Sequence, residues 1–414
     1  MRGSQVIQPR LGYLFVLSVP MCAAVATPRG LEFGGLNYTG WLWLGMLVLG
    51  VLLIMIEKAI FRDQRCVRFP VIPWAAYFGF NWISLIWADD FGARNVQDAM
   101  QVSMPLVIGA AASMFIETNG QLRSLQRVFV ISMIPLFVSL IIWKLDLMPS
   151  LDFDTGMRPL GLTVGLVGCV FLAMAPPKYL LAVAGWAVSL AICFASGGRT
   201  VTLSILALPM LHPRIGTKLG RVVLCVLMLV LAVVVFHSDS FQQRFFYSGH
   251  GTLEDLMAGD VRGSGRFDAW PKILDHAMLN PWLGHGIGSA YDYVAIVWPG
   301  MNHVQNDYLR VFYETGAVGF VIFIVVAIWQ SISLFGHVRS STGLVQQTFL
   351  AAWLGWLLFL INATTGNPIS YNLWFMNPLF ALMGAAYGVH ALQSDASSSV
   401  SPDPQDNLHF YDQA

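Results

Sequence analysis

Polar and apolar positions in this chain are sorted into long blocks. Apolar runs fall near residues 11–28, 40–57, 70–88, 100–116, 126–144, 159–175, 179–196, 199–212, 220–236, 313–335, 346–362 and 372–391. Each approaches the roughly 20 residues with which an α-helix crosses the hydrocarbon of a bilayer, the eighth being short. The pattern predicts an all-α polytopic membrane protein of about twelve transmembrane helices, with one large polar interval, about 237–312, between the ninth and tenth. Inside that interval the spacing predicts short amphipathic helices over Phe267 to Met278 and Tyr308 to Tyr313. From Ser394 the chain becomes rich in Ser, Asp and Pro without periodicity, so 394–414 is expected to be a disordered tail behind a single transmembrane domain, 1–393.

Composition supports this class. Of 414 residues, 56% are hydrophobic and 11% charged, and the mean hydropathy is +0.63. A soluble chain carries about a quarter charged residues. The net formal charge is zero, which argues against a nucleic-acid partner. Of the five cysteines, Cys22, Cys169, Cys193 and Cys225 fall in apolar runs and Cys66 in an Arg-rich connection; neither a disulfide nor a zinc site is expected. Arg2 and Arg10 precede the first run, and Ala23–Ala26 resembles a cleavage site, but the run is long enough to be kept as a span.

The placement of charge sets an orientation. Alternate connections hold Arg2 and Arg10; Lys58, Arg62, Arg65 and Arg68; Arg123 and Arg127; Lys178; Arg214, Lys218 and Arg221; and Arg339. The intervening short connections hold only Arg29, Arg94, Lys144, Arg158 and Arg199. By the positive-inside rule both termini are cytoplasmic and the large interval faces the other side, the periplasm of a bacterial inner membrane.

Candidate chemistry gathers on that outer side. Arg199 follows Ser196-Gly197-Gly198, a tight reversal that starts the eighth span. It is either an interface arginine that snorkels or a guanidinium at a helix start, where it and backbone N–H groups could face an anion. Arg266 follows Gly263-Ser264-Gly265 and precedes Trp270 by about one turn; it is either a solvated loop arginine or a ligand-binding one. Arg244 and Arg262 are weaker candidates of the same kind, and Arg158 could reach the same surface. His303, ahead of Asn306 and Asp307, is either a general base near neutral pH or a hydrogen-bonded structural residue. Gly316 and Gly319 have the spacing of close helix packing. Glu254, Asp255 and Asp260 make no metal site, and no nucleotide-binding loop is present. A transferase built this way would take a lipid-borne, activated donor and hold its phosphates with cationic side chains, without metal or cofactor.

The run His303-Val304-Gln305-Asn306-Asp307-Tyr308-Leu309-Arg310 through Gly316 and Gly319 resembles the signature of the bacterial O-antigen ligase and polymerase superfamily. There a histidine-asparagine pair is followed, ten residues after the asparagine, by Gly-x-x-Gly, the spacing of Asn306 and Gly316. Ser264-Gly265-Arg266 with Asn280-Pro281-Trp282-Leu283-Gly284-His285-Gly286 resembles the family's periplasmic-loop segment, and Ser196 to Thr200 its Ser-Arg-Thr element. One position departs from the pattern: Gln305 stands where the family's histidine usually precedes the asparagine, and His303 is two residues earlier. A helix would turn these two side chains to different faces, whereas an extended chain would keep them on one side.

The resemblance implies an inverting glycosyltransferase, its donor a glycan on undecaprenyl diphosphate and its acceptor a glycan or lipid A-core. Joined to the reading of the residues, it makes Arg199, Arg266 and His303 the expected catalytic residues and Arg158, Arg262, Trp270, Gln305 and Asn306 the expected substrate-binding ones. Membrane lipid is a partner, and other polysaccharide-assembly proteins are compatible with the reading. A polysaccharide polymerase is the first expectation and an O-antigen ligase the second. A transporter, the third, would bury ionisable residues at mid-membrane, and the apolar runs are nearly free of them.

Overall fold

The computed structural model describes residues 10–398 apart from 27–31, 34–35, 61–65, 90, 150–153, 214–221, 223–224, 227–228, 231, 235, 247, 253, 256–264 and 302. In chain order, the first helices are α1 (Arg10–Val25), α2 (Tyr38–Ile60), α3 (Val71–Ile83, continued by a 3-10 turn Ser84–Trp87), α4 (Ala93–Phe115), α5 (Asn119–Ile131) and α6 (Met133–Lys144). There follow α7 (Asp154–Ala173), α8 (Tyr179–Ala195) and α9 (Arg199–Leu211). The polar interval contributes α10 (Asp239–Phe245), α11 (Arg266–Ala277) and α12 (Ala290–Val297). The chain then forms α13 (Asp307–Ser340), α14 (Gly343–Asn362), a π turn (Asn372–Met376) and α15 (Asn377–Ser398). Among the described residues the one strand pairing is a two-residue hairpin, Glu32–Phe33 against Leu36–Asn37.

Each predicted apolar run falls on one helix except the fifth, 126–144, which is divided between α5 and α6, and the ninth, near 220–236, about half of which lies outside the described residues. Among the described residues six stretches are long and apolar enough to cross a membrane: Tyr38–Ala59, Ala93–Phe115, Asn119–Lys144, Asp307–Ser340, Gly343–Asn362 and Asn372–Ala396. α1, α3, α7, α8 and α9 are shorter apolar helices. α15 is apolar around its circumference and buried; Leu379, Phe380, Leu382 and Met383 are fully enclosed. It lies so close to α4 that a Cβ on Gly384 would strike the Gly109 carbonyl, the small-residue contact expected between membrane helices. α2 shows the converse, with Leu49, Leu52, Met55 and Ile56 exposed on the outside of the bundle. α15 carries its helix past the expected boundary at 394 to Ser398, and 399–414 lie outside the described residues.

Two expectations need correction. The helices are not free of buried ionisable groups. α4 begins seven residues before the predicted run and α13 six before, and those extra turns bring in Asp98, Asp307 and Arg310; Glu314 lies just inside the predicted run. All four are buried, and three of them pair: Arg310 lies 3.0 Å from both Asp98 and Glu314. Asp307 accepts the Ile369 N–H at 2.8 Å. Second, the predicted helix over Tyr308 to Tyr313 is the first part of α13.

Gly316 is where that helix breaks, with φ 63° and ψ −167°, and its role is more than close packing. The break exposes backbone groups that the segment Pro281–Gly286 satisfies. The Ala317 and Val318 N–H groups donate to the Pro281 and Trp282 carbonyls, and the Tyr313 and Glu314 carbonyls accept from His285 and Gly286. A Cβ on Gly316 would collide with the Trp282 carbonyl, and one on Gly284 would come 2.5 Å from the Gly316 nitrogen. The glycines of the two motifs are thus one joint, which fixes the polar interval to the bundle.

Candidate active site

The two candidate arginines occupy the same local position. Arg199 is the first residue of α9, after Gly198, and Arg266 is the first residue of α11, after Gly265. Both N-cap residues are glycines, which supply no side-chain cap, and each helix start carries the positive end of its dipole. Gly197 has φ 77°, giving the tight reversal read from the sequence. Gly265 has φ 78°, and a Cβ there would lie 2.7 Å from Trp298 Nε1, so only glycine lets α11 start at this point.

Both arginines line one cavity of about 130 Å³, together with Gln305 and Tyr371. The cavity collects two guanidinium groups and two helix starts, all favouring negative charge. Its far wall is the α14–α15 connection, Asn362 and Thr365–Pro368. Thr200 and Thr365 share a hydroxyl–hydroxyl hydrogen bond that ties the α9 start to that wall. The sequence reading did not single out this connection. Its signal was the polar run Asn362-Ala363-Thr364-Thr365-Gly366-Asn367-Pro368, a turn composition between two apolar helices.

The chain at His303–Gln305 follows neither geometry considered from the sequence. Gln305 has φ 58°, a left-handed position rare for a side-chain-bearing residue and a form of strain often found at functional sites. The turn sends Gln305 into the arginine cavity and His303 to its flank. His303 Nε2 lies 3.4 Å from the Tyr291 hydroxyl, and its ring centroid is 6.4 Å from that of Tyr371. Burial, reinforced by the Asp98 charge, raises the Tyr291 phenol, so it stays a neutral partner for the imidazole. Behind Tyr291 stands Arg310, its guanidinium 5.8 Å from the Tyr291 ring centroid and hydrogen-bonded to the Ser370 hydroxyl next to Tyr371.

Other predicted residues brace the site. Trp270 donates from Nε1 to the Val304 carbonyl at 2.8 Å, pinning the backbone one residue before Gln305. Asn306 caps α13, its side chain accepting from Leu309 N at 3.0 Å. Arg262 and the side chains of Arg158 and Arg244 lie outside the described residues. A stack of His276, His285, Tyr293 and Tyr313 holds α11 to α13, with His285 Nδ1 2.6 Å from Asp89 and the Tyr313 hydroxyl 3.0 Å from His276 Nδ1. Partial burial, then the neighbouring His285, lower the His276 pKa. Among the described residues no group of three His, Cys, Asp or Glu side chains is placed to hold a metal ion. All five cysteines are unbridged.

Residues 184–324, 141 of the 414, match the family described as O-antigen ligase. Among curated proteins the chain has no match. The matched segment holds Arg199, Arg266, His303, Gln305 and the Gly284–Gly316 joint. With several helices long and apolar enough to span a bilayer, the chain is a multi-pass membrane protein whose residues 184–324 are similar to the O-antigen ligase family.

Proposed function

We propose that the protein is a polysaccharide polymerase of the bacterial inner membrane, transferring a glycan from undecaprenyl diphosphate to a sugar hydroxyl at the periplasmic face. The observation that carries the reading is the convergence of Arg199 and Arg266, each the first residue of a helix, on one cavity. Such a site suits a diphosphate. Charge-assisted hydrogen bonds would hold it in the ground state and tighten as negative charge develops on the departing oxygen. No metal is required in this scheme.

The acceptor oxygen attacks the anomeric carbon opposite the diphosphate, forming the new glycosidic bond as the carbon–oxygen bond to phosphate breaks, and the configuration inverts. The acceptor proton passes to His303, which Tyr291 orients from the flank of the cavity. Gln305, inside the cavity, cannot act as a base; it hydrogen-bonds donor or acceptor.

Purified protein in detergent, given a synthetic lipid-diphosphate-linked repeat unit, is expected to yield longer lipid-linked chains in the presence of EDTA. Strict dependence on a divalent metal, or no elongation, would overturn the proposal. Transfer onto lipid A-core in place of elongation would identify the ligase, which uses the same donor chemistry.

A further inference from the structure

A second cavity, of about 740 Å³, lies at the opposite end of the bundle. α14 starts there, with Gly343 and Leu344 in its wall, and ends at Asn362 in the arginine cavity. Its 20 residues separate the two by about 30 Å, the thickness of bilayer hydrocarbon.

Its lining is built for an amphiphilic anion. Arg123 and Arg127, one turn apart on α5, and Lys178, before α8, lie exposed along its lining, and no Asp or Glu is among the described lining residues. The starts of α8 and α14 both line it, and neither Lys178 nor Thr342, their N-cap residues, supplies a side-chain cap. α5 differs: Thr118 and Gln121 close its start with reciprocal hydrogen bonds. Two open helix starts therefore add their positive ends to three cations. Phe171, Leu181 and Leu344 make much of the rest of the wall apolar. A small soluble anion would gain nothing from these surfaces, whereas a lipid places its charged head among the cations and its chains against the wall.

We propose that this cavity binds an anionic glycerophospholipid from the leaflet at this end of the bundle, the inner leaflet in the orientation set by the arginine and lysine distribution. Basic pockets between membrane helices hold such head groups in this way. The site is separate from the glycosyl-transfer cavity, and the inference does not depend on that reading.

The test is native mass spectrometry of the purified protein in detergent, with phosphatidylglycerol and phosphatidylcholine of identical chains added at equal concentration. The wild type is expected to retain phosphatidylglycerol about tenfold or more over phosphatidylcholine, since each basic residue near an anionic head group contributes on the order of fivefold. The double variant Arg127→Gln/Lys178→Gln should lose that preference. Arg339→Gln, which removes a cation outside the lining, should keep it. Equal retention of the two lipids, or a double variant that behaves as wild type, would refute the site. Displacement of the lipid by millimolar inorganic phosphate would show a site for free anions, and preferred uptake of a polyprenyl phosphate would show a different lipid; either result overturns the proposal.

Discussion

Gly316→Ala tests the joint on which the positioning of the site depends. The native φ 63° and ψ −167° lie where a residue with a Cβ pays a strain of order 1–3 kcal/mol, and the new methyl would strike the Trp282 carbonyl. Relieving the collision means moving Pro281–Gly286 away, which breaks the four backbone hydrogen bonds across the joint, each contributing about 0.5–1.5 kcal/mol. Releasing the loop while the strained angle is kept therefore costs at least about 3 kcal/mol, a change on the order of a hundredfold in the folded-to-unfolded ratio. Gly336→Ala is the matched control on the same helix. A Cβ there meets nothing within 4 Å and the backbone is helical, so alanine should be neutral or stabilising by roughly 0.5–1 kcal/mol. Equilibrium unfolding in mixed SDS micelles, with transferase activity read alongside, compares the two. A Gly316→Ala protein within about 0.5 kcal/mol of wild type would refute the joint.

Arg310→Met should destabilise by about 3–5 kcal/mol by leaving Asp98 and Glu314 buried without their cation, and adding Asp98→Asn and Glu314→Gln should recover part of the loss in the same unfolding assay. His303→Ala is expected to lower kcat by about a hundredfold or more, as loss of a general base does, while Gln305→Ala raises KM for the donor; steady-state kinetics on the two variants would show the reverse if Gln305 carried the chemistry. His276 has a lowered pKa and faces His285, Asp89, Tyr293 and Tyr313, so the unfolded chain takes up its proton more readily than the folded one. Its contribution to stability is complete above the ordinary histidine value of about 6.5 and falls as pH drops through it. Hydrogen exchange should show α11 losing protection below that pH in the wild type, with a shallower dependence in His276→Asn.

The bundle was readable because hydropathy alone sets the length of a membrane helix. Its errors had a common cause. A run-by-run reading stops α4 short of Asp98 and α13 short of Arg310, because each charge is costly in isolation and only their pairing across two helices makes burial acceptable. The site was readable where backbone demands glycine: Gly197-Gly198-Arg199 and Gly265-Arg266 advertise helix starts with a cation in first position. The wall at Asn362–Pro368 carries no charge and therefore looked like an ordinary turn. The split between His303 and Gln305 was hidden because it depends on one left-handed backbone angle at a glutamine.

The central claim is that Arg199 and Arg266 act on one diphosphate. A double-mutant cycle on transfer from a purified lipid-diphosphate donor measures this directly. Each alanine variant should lose about 10- to 100-fold or more in kcat/KM, and the double variant should lose much less than the product of the two, a coupling of about 0.5–3 kcal/mol. Near-wild-type transfer by either single variant, or losses that multiply as independent sites do, would contradict it.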